Sequence, residues 1–337
     1  MPFFLIAHLL SFIFNYPLDG YSYFYQVFAG LAGLFYGFSG ILILRKVLKR
    51  NFSEKITLLT LTAIIFGTNL FNYMTSNSLF SHAFSFFLIS LLIYYIPIYF
   101  DSPKSIKKLF VLAIIFGLII LVRLINVFTI FIVLLYGIDS FNKLKIRIIS
   151  IFKNYRFLIF FTLIVVIVFT PQLITWKLTF NKWIVYSYGN VNFRFSTPYI
   201  ANSLFSVRRG LFFYSPILIF SIFGFFLPGI KKTKYLLSAI VVLLIMVFLN
   251  SSVYMWWFGS SFGNRSYIEF FPLLSIPLAI FFEYIKNKKH LLIIITVLSI
   301  LFVLSTLIRM YWYWSGILPA DYITPLTYRD IFINIIK

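Results

Sequence analysis

The chain is patterned as long apolar runs separated by short polar breaks, at approximately 23–44, 56–74, 79–100, 109–122, 124–137, 157–175, 211–229, 235–250, 267–285 and 291–308. A helix crosses a hydrocarbon layer about 30 Å thick with roughly 17–25 apolar residues. The pattern therefore predicts an all-α, polytopic transmembrane helical bundle of about ten spanning segments. Continuous runs, in place of period-2 alternation, exclude an outer-membrane barrel. Residues 1–310 read as a single transmembrane domain, with 1–22 as an external or interfacial N-terminal segment and 311–337 as a short external tail.

Two stretches fit less simply. Residues 109–137 form one apolar run interrupted by Arg123 and Asn126. Charge on the flanking loops favours two short helices over one long one, which puts Arg123 at a tip sunken on the external side. Residues 2–14 are short for a span and carry His8. They read either as a span or as an amphipathic helix on the external interface, and the interfacial reading is preferred. A secretory signal is disfavoured because a basic n-region and a small-residue cleavage site are missing.

Composition supports the membrane reading: 61% of the 337 residues are hydrophobic and 11% charged, where soluble domains carry about a quarter charged. The net charge of +21 does not point to nucleic acid, whose binders gather basic residues on one soluble face. Here they lie between apolar runs. Alternate loops hold Arg45 to Lys55, Lys104 to Lys108, Lys143 to Arg156, Lys231 to Lys234 and Lys286 to Lys289, which together contain 19 of the 29 basic residues. By the positive-inside rule that side is cytoplasmic. The opposite loops, rich in aromatic residues, Asn and Arg, form the expected working face. With no cysteine in the chain, disulfides and thiol chemistry are excluded.

Ionisable groups at membrane depth are costly and mark candidate sites. The first candidate is Asn69, Asn72 and Asn77 leading to Ser81 and His82. His82 suits acid-base work near neutral pH, or else is a structural histidine bonded to a neighbouring helix. Arg123 with Asn126 is the second: a guanidinium at a helix tip makes bidentate bonds to phosphate, or simply snorkels. The third is the group Arg194, Arg208 and Arg209, whose charge calls for an anionic partner, a substrate or lipid headgroups.

The fourth candidate is Trp256, Trp257, Asn264, Arg265 and Glu269 within YMWWFGSSFGNRSYIEFF. The tryptophans offer sugar-stacking or interfacial surface. Arg265 and Glu269 stand four apart, the spacing at which they would pair across one helical turn. A Gly-rich phosphate loop, HExxH and GxSxG are all missing. External carboxylates reduce to Asp19, Glu269, Asp321 and Asp330.

The succession PFFLIAHLL, DGYS, GTNLFNY with SHAFSFF, LVRLIN, RRGLFFYSPIL and WWFGSSFGNRSYIEFFPLL resembles the bacterial GT-C type membrane glycosyltransferases, the protein mannosyltransferase-like and lipopolysaccharide glycosyltransferase-like enzymes. The resemblance covers residues 1 to 310, and the order of its loose motifs carries it. It implies an inner-membrane enzyme of the cell envelope that passes a sugar from a polyprenyl-phosphate donor to a lipid, glycan or protein acceptor on the external face. Arg123, Arg208, Arg209 and Arg265 become candidates for the lipid phosphate. Asn69, Asn126, Trp256, Trp257 and Asn264 become candidates for sugar or acceptor contacts, and Asp19, His82 and Glu269 for catalysis.

Such enzymes normally begin with one more span and a large external loop bearing the catalytic aspartate. This chain starts roughly where that loop ends, so the resemblance implies a member lacking its base and inactive alone, with Asp19 the nearest carboxylate. Some similar enzymes use a divalent metal, although no ligand cluster stands out. The alternatives are a flippase for lipid-linked oligosaccharide and a non-catalytic subunit of an envelope polysaccharide assembly.

Overall fold

The computed structural model describes residues 2–186 and 192–336, with the backbone alone for Ile230, Lys232 and residues 334–336. Within the expected loops and charge pattern, residues 187–191 and the charge of Lys232 lie outside the described residues, as do Met1 and Lys337 at the ends of the expected domain ranges. Of the described residues 74% are helical, 3-10 turns included, and none lies in a strand. Among the described residues sixteen α-helices follow in order. The first eight are α1 (Pro2–Ile13), α2 (Tyr23–Leu48), α3 (Glu54–Phe66), α4 (Leu70–Met74), α5 (His82–Phe100), α6 (Ile106–Val122), α7 (Ile130–Leu134) and α8 (Phe141–Lys153). Then come α9 (Tyr155–Phe180), α10 (Ile200–Phe205), α11 (Leu211–Tyr214), α12 (Ile219–Phe225), α13 (Leu236–Ser252), α14 (Phe271–Ile285), α15 (Lys289–Trp314) and α16 (Pro325–Ile336).

Among the described residues five helical stretches, Tyr23–Leu48, His82–Phe100, Tyr155–Phe180, Arg265–Ile285 and Lys289–Trp314, are long and apolar enough to cross a membrane. Their burial separates roles. α9 has no buried residue, and α15 buries only Ile295, Thr306, Met310 and Trp312. Apolar surface of that extent is exceptional in water and is what a bilayer solvates. α14 is the opposite case, with 13 of its 15 residues buried. It packs against α3, α5 and α12 at the centre of the bundle. α12 approaches so closely that a Cβ on Gly224 would collide with the Pro277 backbone. The result is the architecture of a multi-pass membrane protein.

Several expected runs are broken, each for a local reason. Within 56–74, the Thr68 hydroxyl donates to the Ile64 carbonyl at 2.6 Å and accepts from the Leu70 N–H at 3.1 Å. A side chain competing for backbone groups ends α3 and restarts the chain as α4. Within 211–229, Pro216 cannot donate to a continuing helix, and a 3-10 turn (Pro216–Leu218) separates α11 from α12. Within 109–137, α6 stops at Arg123, whose backbone is extended (φ −152°, ψ 116°), before a 3-10 turn (Leu124–Thr129) and α7.

The bundle has two chemically different ends. At the basic end, Glu54 accepts from Arg45 at 2.6 Å and pairs with Lys49 at 2.7 Å. Arg50 lies over Tyr94 there, and the Gly137 N–H donates to the Lys234 carbonyl at 2.9 Å. The other end gathers the starts of α5 and α11, the stop of α6, the turn after α13, the end of α15 and the tail.

Candidate functional site

The polar end is built around Glu269, which lies just before α14 and is 1% exposed. Its Oε1 accepts from Arg123 Nη1 at 2.6 Å and lies 3.2 Å from His82 Nδ1. His82 Nδ1 is also 2.8 Å from the same Arg123 nitrogen. One ring nitrogen cannot both donate to Glu269 and accept from Arg123. A neutral imidazole accepting at Nδ1 satisfies the guanidinium, whereas a doubly protonated ring would set N–H against N–H. The break in α6 makes this group possible, because the extended Arg123 swings its side chain toward the N-terminus of α5.

Arg265 and Glu269, four apart in sequence, do not form an ion pair. Residues 265–270 form a 3-10 helix instead of an α-turn, and Glu269 is taken by Arg123. Arg265 instead lies 4.5 Å over the Phe80 ring, and its charge reaches both His82 and the buried Tyr73.

The other two candidate arginines belong to an adjoining cluster. Arg208 donates to Asp321 at 2.9 Å and stacks 3.7 Å over the Trp257 ring. Arg209 is fully buried and donates to the carbonyls of Arg208, at 2.9 Å, and Ala320. Beside them Arg309 bonds the carbonyls of Phe213 and Ser305. Tyr328 donates to the Tyr214 hydroxyl at 3.0 Å. Residues expected to form a short external tail thus return over the site, with Leu318, Ile323, Tyr328 and Ile331 buried against Tyr214 and Phe262.

Most candidate sugar or acceptor contacts make internal bonds, while the Oδ1 atoms of Asn69 and Asn126 are buried with no hydrogen-bond partner among the described residues. Asn69 donates to the Phe262 carbonyl at 3.2 Å, Asn126 to Ser85 at 3.2 Å, and Asn264 to Ser203 at 3.2 Å while its Oδ1 accepts from Ser266. Trp256 is buried. Trp257 is partly exposed under Arg208. Asp19 stands apart on the α1–α2 connection. It accepts from the N–H groups of Tyr21 and Ser22 at 2.8 Å each, and these bonds hold its carboxyl below the ordinary range. That makes it a weaker proton acceptor. Arg194 lies against Tyr254 and Tyr199.

Among the described residues no three His, Asp or Glu side chains gather as a ligand set. His82 and Glu269 converge alone, with a guanidinium between them, so these residues do not fit a bound cation. Sequence reasoning missed Arg309, Tyr214 and Tyr328. Of these, Arg309 carried a readable signal, a cation near the end of a span on the side poor in lysine.

Five arginines, Arg123, Arg208, Arg209, Arg265 and Arg309, thus face two carboxylates, Glu269 and Asp321. Such an excess of poorly solvated cations is chemically suited to an anionic oxygen-rich ligand. Comparison with protein-family models, with curated proteins and with solved structures finds no match for the chain.

Proposed function

We propose that this chain is a membrane glycosyltransferase of the GT-C type that takes a sugar from a polyprenyl-phosphate donor at its polar end. In this reading the apolar runs make ten crossings, the basic end faces the cytoplasm and the polar end lies outside the inner membrane. The carrying observation is the uncompensated arginine charge. Arg123 and Arg208 already have carboxylates and Arg209 is sealed among carbonyls. Arg265, which lies over the Phe80 ring and has no hydrogen bond or ion pair among the described residues, is therefore the phosphate anchor.

The test uses the purified full chain with a polyprenyl-phosphate sugar, reading donor affinity and release of polyprenyl phosphate separately. Losing a charge-assisted contact costs about 1.5–3 kcal/mol, roughly a tenfold to hundredfold loss of affinity. Arg265→Ala is expected to show it and Arg194→Ala to bind as wild type. Unchanged affinity in Arg265→Ala overturns the assignment. A transporter of lipid-linked oligosaccharide would bind the donor but leave the phosphate–sugar bond intact, as would a family member inactive alone, so affinity without release removes the reading of a chain that transfers sugar by itself.

A further inference from the structure

The stretch between Ser140 and Asn154, where the sequence suggests only a basic loop, is the helix α8. Its start is set by Ser140, whose side chain accepts from the Lys143 N–H at 3.5 Å. At about 100° per residue, Phe141, Leu144, Ile148, Ile149, Ile151 and Phe152 share one arc, while Lys143, Arg147, Ser150 and Lys153 share the other, with Ile146 the one apolar residue among them. None of its residues is buried.

The polar arc is what ties α8 to the bundle. Arg147 lies 4.2 Å over the Phe100 ring and donates to the carbonyls of Val133, Leu134 and Tyr136 at 3.3–3.5 Å, closing the end of α7. Lys143 pairs with Asp139 at 2.6 Å. The apolar arc is left facing away, with Phe141 79% and Phe152 70% exposed. Asn154 alone separates α8 from α9, one of the membrane-crossing candidates, so α8 sits at the level where that crossing begins.

We propose that α8 is a binding surface for anionic phospholipid headgroups, lying along the bilayer boundary with its apolar arc among the acyl chains. Charge complementarity selects the occupant. Lys145 projects from within the apolar arc, and Lys153 and Arg156 flank it. None of the three has a hydrogen-bond or ion-pair partner among the described residues, and α8 contains no carboxylate. A lysine in an apolar arc extends its stem to reach the headgroup layer, where a phosphate is the group that neutralises it. A basic amphipathic helix with these features binds by apolar burial plus attraction to anionic lipid. The inference rests on the membrane architecture alone and is independent of the activity proposed for the opposite end.

Because the chain has no cysteine, Ile149→Cys gives a single labelling position in the apolar arc. The full chain carrying an environment-sensitive dye there is reconstituted in phosphatidylcholine vesicles with or without phosphatidylglycerol, both containing a quencher-bearing lipid. Quenching is expected to be stronger in the anionic vesicles. Lys145→Gln and Lys153→Gln should each lower the ratio of inserted to displaced helix about fivefold there, an effect that shrinks as salt screens exposed charge. Equal quenching in the two vesicle types overturns the proposal. Protection that rises with protein concentration and accompanies a dimer overturns it too, in favour of a second copy as the occupant.

Discussion

Glu269 concentrates the energetics of the polar end in one side chain. The Arg123–Glu269 pair is 13% and 1% exposed, so both charges have left water and each depends on the other. Removing one partner of such a pair costs about 3–5 kcal/mol, because the remaining charge is stranded. Replacing both with apolar side chains is often close to neutral. Arg123→Ala and Glu269→Ala should therefore each lower the thermal midpoint in detergent sharply, while Arg123→Met with Glu269→Leu recovers most of the loss. Additive losses in the double variant would refute the pairing. A second ion pair, Arg208 with Asp321, responds to pH. Partial burial by itself raises the Asp321 pKa, but the hydrogen bonds from Arg208 and from the Tyr322 N–H outweigh it and hold the carboxyl below its usual range. A depressed folded-state pKa gives stability that is complete above the unfolded carboxylate value and is lost as pH falls through the folded value. Proteolytic protection of residues 318–331 should accordingly persist at neutral pH and decline only on acidification below the ordinary aspartate range. Asp321→Asn should weaken that protection at neutral pH and converge with the wild type once acid has protonated Asp321.

Among the helices, the tightest constraint is the approach of α12 to α14. With Gly224 against the Pro277 backbone, a methyl group has nowhere to go, and rigid backbone cannot yield as a flexible side chain would. Overpacking of this kind costs about 1–3 kcal/mol or more, so Gly224→Ala is expected to lower the thermal midpoint. A midpoint equal to wild type would show that the two helices slide freely. This contact illustrates what the sequence does and does not carry. The long helices α2, α5, α9 and α15 are legible because unbroken apolar runs leave few alternatives. The stop at Arg123 is legible from the mid-run charge. The break at Thr68 is not, since it depends on one hydroxyl choosing the Ile64 carbonyl, and the helix α8 is masked by its density of lysines. At the site, residue types on the loops of the polar end were readable, but their partners were not. Arg123 and Glu269 are 146 residues apart, and no local spacing reports that they meet.

At the scale of the whole molecule, two unlike ends on one apolar bundle fix how the protein can sit in a bilayer. The basic end carries Arg45, Lys49 and Arg50 at and just after the end of α2, while the polar end sets its arginines among carbonyls, aromatic rings and two carboxylates. Translocating short loops dense in Lys and Arg is disfavoured, which favours the basic end on the cytoplasmic side. The proposed function needs the same orientation, because a lipid-linked sugar is then met on the side where the arginines gather. The cysteine-free sequence makes this directly measurable. In intact cells, a membrane-impermeant maleimide should label Ser315→Cys at the exposed end of α15 and leave Asn51→Cys unlabelled until the membrane is permeabilised. The reverse pattern would place the arginine-rich end in the cytoplasm. That would remove the topological ground for external glycosyl transfer while leaving the helix architecture intact. Labelling of both positions in intact cells would mean that the basic loops do not orient this chain at all.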